Sequence, residues 1–521
     1  MPNGGKTFTG TGNGKGGRQV HGEGTEVLNN DEINVCQRRD KFIAEPVNVG
    51  GSRGVCSVES SGAIGPATNS EIGDEDIDVA LPGNGSNGKS KLMQRVDPSF
   101  GHDGHSIGTA ETERKHSARG HCHQKGTKVT DGIDGEGLTL SADPSAVRAA
   151  ARAVLDANWR PEGYTVPNAA VYPFQWLWDS CFHAITWADL GEPDRARSEL
   201  AHLFRTQNAE GFVPHVDYEY LPTHHSEFWK REGQSSITQP PMFGHAIAEL
   251  NRRAIDVTDL VGPASAGLNF LLDRRSRVDG LIALCHPWES GGDDCPRWDH
   301  WCPGTWNKSA WYEVKGQLVA SVEHSALGSP ISNPSFVVAS CGFNALVAVS
   351  ARELAAVTGD RDLLEKADAL SQRLSAQWDE QLGTWVDAGD SASDSGRVRS
   401  LDALLPVLVA SETSMIERVF RELRDVAAFG GPAGPAGIHR EEPTFSARTY
   451  WRGPAWPQLT YLFWVAARLH GRRDDEHALS RMLTLGALAS NWAEYWDAED
   501  GTGLGAAPQS WAALAAVVQP K

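Results

Sequence analysis

No window of this 521-residue chain reaches the roughly 18 uninterrupted apolar residues that a transmembrane helix needs. The start, Met1-Pro-Asn-Gly-Gly-Lys-Thr-Phe8, lacks the apolar segment of a secretory signal. Basic residues are scarce: 48 Lys and Arg stand against 67 Asp and Glu, a formal net charge of -19. That balance disfavours nucleic acid and anionic membranes as partners, because both are held by a basic face. The eight cysteines, at 36, 56, 122, 181, 285, 295, 302 and 341, form no CxxC pair and no compact disulfide framework. Cys295 and Cys302 invite a metal or a bridge only weakly, so a reducing cytoplasm and no metal site are expected.

The first 137 residues lack Trp and Tyr altogether and hold only Phe8, Phe42 and Phe100, with about half of the chain's glycines. Runs such as Gly10-Thr-Gly-Asn-Gly-Lys-Gly-Gly17 and Gly83-Asn-Gly-Ser-Asn-Gly88 bury too little apolar area to offset chain entropy. Gly14-Lys-Gly-Gly17 lacks the pattern and the preceding strand of a phosphate loop. The patch His102, His105, His116, His121 and His123 reads as part of a polar tail rather than a chelating site. Residues 1–137 are therefore expected to be a disordered, dispensable extension or an overextended start, followed by one domain over 138–521.

From Ser141 onward the texture is helical. Ser141-Ala-Asp-Pro supplies a cap and an early proline. Further helical periods fall at about 178–190, 194–208, 242–256, 261–274, 336–358, 361–380, 400–411, 414–427, 453–470, 474–489 and 508–518. A dozen helices with few alternating runs between them predict an all-α (α/α)6 barrel, a toroid with its site in the loops at one end. No short exact repeat is visible, which argues against an open solenoid.

The longer joints carry four clusters of aromatic residues and acids. These are Tyr172-Pro-Phe-Gln-Trp176-Leu-Trp-Asp179, Trp288-Glu-Ser-Gly291-Gly-Asp293-Asp-Cys-Pro-Arg-Trp-Asp299, Tyr450-Trp451-Arg-Gly-Pro-Ala-Trp456 and Glu494-Tyr-Trp-Asp-Ala-Glu-Asp-Gly. Indole faces stack on pyranose rings, and carboxylates bind hydroxyls and move protons, so the combination suits sugar chemistry. An inverting glycosidase needs an acid and a base roughly 6.5–9.5 Å apart. Asp293, between glycines and tryptophans, is the candidate acid, with Asp294 and Asp299 as rivals and Arg297 and Asp294 as tuning partners. Glu494 is the candidate base. Asp179 opens a helix, where it caps or holds sugar hydroxyls. His183, one turn on, reads as a core histidine. Gln239 and Gln509 are weaker candidates for hydroxyl contacts.

Taken together, the four clusters resemble glycoside hydrolase family 63, and most closely its bacterial mannosylglycerate and glucosylglycerate hydrolase branch, over about residues 140–521. Family 37 trehalases look like more distant relatives through Glu289-Ser-Gly-Gly-Asp293. The resemblance implies an (α/α)6 barrel that inverts α-linked sugars, with Asp293 as general acid and Glu494 as general base. It implies that Trp176, Asp179, Gln239, Trp288, Gly291, Trp456 and Gln509 hold the sugar. Tyr172, Tyr450 and Trp451 would line the aglycone side. One departure stands out: the glycerate hydrolases carry arginine after the acid for the glycerate carboxylate, and residues 301–350 contain none. Lys308, Lys315 and His324 are the available cations, though lysine lacks arginine's bidentate fork.

The expected substrate is thus a small α-glucoside or α-mannoside, glucosylglycerate or mannosylglycerate in type, with trehalose or an α-glucobiose as the alternative. A sugar epimerase or isomerase on the same fold would use histidines such as His215, His245 and His286. A silent carbohydrate-binding protein ranks below both. Carbohydrate and water are the expected partners and no cofactor is required; the sequence leaves a homo-oligomer open.

Overall fold

The computed structural model describes residues 143–390 and 396–520. The expectations for residues 1–137, including the histidine patch and Cys36, Cys56 and Cys122, lie outside the described residues. Twelve α-helices occur among the described residues: α1 (Pro144–Asn158), α2 (Leu177–Asp189), α3 (Pro193–Leu203), α4 (Ser226–Trp229), α5 (Phe243–Arg252), α6 (Thr258–Arg274), α7 (Lys308–Ala320), α8 (Cys341–Thr358), α9 (Arg361–Ser375), α10 (Thr413–Arg424), α11 (Pro457–Leu469) and α12 (Arg473–Ala489). Two 3-10 segments, Leu401–Leu408 and Ser510–Ala516, complete the architecture.

Local sequence sets several boundaries. Asp143 caps α1 by accepting from the Ser145 N–H, and Pro144 takes the first helical position. Gly359 closes α8 in the left-handed region, and Asp360 then caps α9 through the Leu363 N–H. Burial decides which element lies where. Every residue of α2 and of both 3-10 segments is buried, as are positions 457–467 of α11. A helix apolar all round belongs inside. By contrast α9 buries only Leu363, Ala367, Leu370, Ser371 and Leu374, one stripe at helical spacing.

The buried elements close a circle. α2 packs on α5, α5 on α8, α8 on Leu401–Leu408, that segment on α11, α11 on Ser510–Ala516, and this last segment on α2. Each has an outer partner: α3, α6, α9, α10, α12 and α1 respectively. This is the expected (α/α)6 toroid, with the chain's last segment sealing it against α1. Seven two-stranded antiparallel ladders trim the joints among the described residues.

The structure differs from the sequence expectation in two ways. The windows near 400–411 and 508–518 form 3-10 segments rather than α-helices; Pro406 removes a donor inside the first. Helix α7 lies outside the expected set, because it buries only Trp311, Lys315, Leu318 and Val319 and so shows a weak periodic pattern. All five cysteines of the described residues are buried and free, so Cys295 and Cys302 form no bridge. No described helix is long and apolar enough to cross a membrane.

A buried charge network ties four inner helices. Glu249 of α5 pairs with Arg252 and Arg253. Arg253 reaches Asp189 of α2 at 3.1 Å, and Arg252 reaches Glu353 of α8 at 2.6 Å. Glu353 pairs with His245 Nδ1, while Nε2 lies 2.9 Å from the Tyr461 hydroxyl of α11. Burial disfavours charge on His245, yet the Glu353 carboxylate outweighs it and holds the imidazole above its usual value. A raised histidine stabilises the fold fully below its unfolded value, near 6.5, and loses that contribution as pH climbs through the folded value. Replacing His245 by Gln is therefore expected to cost roughly 3 kcal/mol near pH 6. It should also flatten the fall in Tm as pH rises above about 6.5, read by circular dichroism.

Candidate active site

The joints that precede the inner elements converge on one mouth. Trp176, Trp456 and Gln509 stand in extended backbone immediately before α2, α11 and Ser510–Ala516. An open cleft of about 800 Å³ lies among them. Of the twelve sequence-derived candidates, eleven line it: Tyr172, Trp176, Asp179, Gln239, Trp288, Gly291, Asp293, Tyr450, Trp451, Glu494 and Gln509.

Asp293 sits at the end of a tight turn that begins with the 3-10 segment Pro287–Ser290. Gly291 adopts φ 77°, and a Cβ there would stand 2.6 Å from Trp178 Cη2, so a side chain is excluded on two counts. Ser290 Oγ accepts from the Gly292 N–H at 3.0 Å, and the Trp298 indole donates to the Gly292 carbonyl at 2.8 Å. The Asp293 carboxyl remains half-buried and accepts from the Tyr450 hydroxyl at 3.3 Å. Its own carbonyl accepts from the Trp311 indole at 3.0 Å.

Glu494 approaches from the joint after α12 and is 4 % exposed. The next two residues form a ladder with Gly503–Leu504, and Trp496 also pairs with Ala455. The Glu494 carboxylate accepts from the Ala506 N–H at 3.1 Å and from the Tyr172 hydroxyl at 3.4 Å. Gly505 packs against it: a Cβ there would lie 2.5 Å from Glu494 Oε2. Two carboxyls from distant parts of the chain thus share one cleft, each steadied by a tyrosine.

Asp179 lies in the first turn of α2 and is buried. Burial pushes its carboxyl up to about 7, against the opposing influence of His183. His183 is a core residue, with Nε2 2.6 Å from Ser510 Oγ. On the same cleft, Trp176 Nε1, Trp451 Nε1 and Gln509 Oε1 are buried without a hydrogen-bond partner. Unsatisfied donors and acceptors around an apolar, aromatic wall suit a polyhydroxylated ring. Gln239 Oε1 accepts from the Trp178 N–H at 3.4 Å.

Several candidates lie elsewhere. Trp456 is fully buried behind the wall and stacks on Trp451 at 3.8 Å and 10°, and on Tyr495 at 4.6 Å. It supports the cleft-lining Trp451 from beneath, a place that its indole's apolar bulk favours. Arg297 does not turn to Asp293: it pairs with Asp402 and lies 3.6 Å from Asp387, which provide the partner charges its burial demands. Asp299 is held bidentately by Arg452, at 2.8 and 2.7 Å. His215, His245 and His286 are buried off the cleft lining. Burial drives His215 down to about 3. His324 contacts the Ser236 carbonyl and is not among the lining residues.

Helix α7 supplies Lys308, Tyr312 and Lys315 to the lining. Sequence alone offers the two lysines only as substitutes for an arginine and gives no role to Tyr312. Their spacing of four and three residues, after a capping Asn307, is the signal that places all three on one face. Trp178, from the first aromatic cluster, and Trp511 and Pro167, from outside the four clusters, also line the cleft.

Asp179→Asn keeps the shape of the side chain but cannot bear the charge. A buried carboxyl whose folded value is raised costs stability as pH rises above its unfolded value, and the cost is complete above about 7. The variant should therefore melt higher than the parent at about pH 8 while raising KM for sugar substrate about tenfold or more. Calorimetry and steady-state kinetics check both; an unchanged KM would remove Asp179 from the sugar site.

The sequence model of the mannosylglycerate hydrolase MGH1-like glycoside hydrolase domain matches residues 172–512. The chain is 28 % identical over 420 residues to the mannosylglycerate hydrolase of Thermus thermophilus, covering 70 % of this chain and 98 % of that one. It is 27 % identical to the glucosylglycerate hydrolase of Mycolicibacterium hassiacum, covering 67 % and 93 %. The crystal structure of a GH63 mannosylglycerate hydrolase from Thermus thermophilus, in complex with Tris and D-glycerate, superposes with a TM-score of 0.62 at 24 % identity. That match covers 71 % of this chain and 99 % of the other, and shares the toroidal fold.

Proposed function

The chain belongs to the mannosylglycerate hydrolase MGH1-like glycoside hydrolase family, and from that premise we propose that it hydrolyses a small α-mannoside or α-glucoside of the glycosylglycerate type with inversion. Asp293 is the general acid and Glu494 the general base. The observation that carries this reading is the meeting of the two carboxyls in one aromatic cleft, each braced by a tyrosine hydroxyl.

The chemistry follows from their roles. The Asp293 carboxyl donates its proton to the glycosidic oxygen as the bond to the anomeric carbon breaks. Glu494 takes a proton from a water that attacks the opposite face, so the sugar leaves with its anomeric centre inverted. Asp179, Gln239 and Gln509 accept or donate to the ring hydroxyls. Trp176 and Trp288 wall that subsite, while Tyr172, Tyr450 and Trp451 face the aglycone.

Lys308 favours an anionic aglycone over trehalose or a glucobiose, since it lines the cleft with Asp293. It takes the role of the arginine that residues 301–350 lack, as a point charge rather than a fork. The absence of histidine from the lining weighs against the epimerase reading.

Asp293→Asn and Glu494→Gln are each expected to lower kcat on mannosylglycerate or glucosylglycerate by about a thousandfold, with KM changed only a few-fold. In the same assay Lys308→Ala should raise KM about tenfold for the glycerate compound, yet not for its neutral amide. Full activity in both carboxyl variants would sink the assignment, and preference for trehalose would redirect the aglycone.

A further inference from the structure

Two adjacent aspartates end the acid-bearing turn, and their surroundings differ sharply. Asp293 is half-buried on the cleft, whereas Asp294, on the same lining, is 3 % exposed. A buried carboxylate is tolerated only with a partner of opposite charge and good hydrogen bonds. Here the partner is Lys315, itself 8 % exposed, with Nζ 3.1 Å from Asp294 Oδ1. The ammonium also stands 5.0 Å over the Trp288 ring and 5.6 Å over Tyr312. The Lys315 backbone carbonyl accepts from His286 Nε2 at 3.1 Å, and His286 Nδ1 accepts from the Trp288 N–H at 3.2 Å. One residue of α7 therefore grips both ends of the turn.

We propose that Lys315 is a positioning residue for the general acid: by neutralising and anchoring Asp294, it turns the carboxyl of Asp293 outward and sets the charge that the acid meets. This rests on the reading of Asp293 as the acid. Arg452, Glu289 and Arg297, charged groups packed on the turn, have partners of their own. Arg452, from the opposite wall, donates to the Asp294 carbonyl at 3.2 Å and spends its remaining donors on Asp299. Within the turn, Glu289 is committed to Arg275 at 2.6 Å. Arg297 is committed to Asp402. Towards the cleft, Asp293 meets the Tyr450 hydroxyl, with Lys308 at the rim and Glu494 and Asp179 across the same lining. Beneath, His286 is held neutral by its burial.

Removing one member of the pair leaves an uncompensated charge beside the acid, and its sign depends on which member is lost. Lys315→Met leaves a negative neighbour, which favours the protonated acid and moves the alkaline limb of the kcat profile to higher pH. Asp294→Asn leaves a positive neighbour and moves that limb to lower pH. The double variant restores neutrality.

The test is the pH dependence of kcat and KM on glucosylglycerate or mannosylglycerate for the parent, both single variants and the double variant, with Tm followed in parallel. The limb is expected to move by about half a pH unit or more in opposite directions in the singles, and to return in the double variant. A limb that stays fixed in the soluble, folded Asp294→Asn protein, or that fails to return in the double variant, would overturn the proposal, whatever happens to kcat. Loss of the acid assignment itself is read separately, from an active Asp293→Asn protein.

Discussion

Closure of the inner ring is the constraint on which everything else depends. Six elements touch in a circle, and each is apolar on nearly all of its faces. Such a wall has no room for reactive polar groups along its length, since each would need a buried partner. Where polar groups do enter, as with Glu249, His245 and Glu353, they pair with one another across helices. Chemistry is left to the mouth, where chain segments turn into the inner elements and backbone geometry can vary.

At that mouth, two layers divide the labour. The front layer presents carboxyls, indoles and phenols to the cleft. The layer behind fixes them: Trp456 under Trp451, Gly505 against Glu494, and Arg452 and Lys315 around the Asp293 turn. Rigid support of this kind is what a proton-transferring pair requires, because a displacement of about 1 Å can cost a hundredfold in rate. The raised Asp179 carboxyl is the converse: a group that the fold takes out of water on the cleft lining, where the proposed function puts sugar hydroxyls.

Much of this is legible in the sequence, for identifiable reasons. The Gly359-Asp360 stop and cap and the early Pro144 are local signals, and the structure uses them as such. The aromatic and acidic clusters stand out because nothing in a core needs glycine, tryptophan and carboxylate together. Pairing is not legible. Arg297 belongs to Asp402, more than a hundred residues away, and only the folded ring brings them into contact. Trp456 shares its motif with Trp451, but a left-handed Trp451 with φ 56° sends the two indoles to different depths. Helix α7 is hard to see in sequence because a partly exposed helix over a cleft has no continuous apolar stripe.

The central claim is that Asp293 and Glu494 act on opposite faces of an α-linked sugar. Proton NMR of the anomeric signals during the first minutes of hydrolysis tests it most directly, with mannosylglycerate and glucosylglycerate as substrates. The account predicts that the β-anomer of the freed sugar appears first, with the α-anomer rising later by mutarotation. An α-anomer formed first would contradict it, since retention requires a covalent intermediate and carboxyls closer together than an inverting pair.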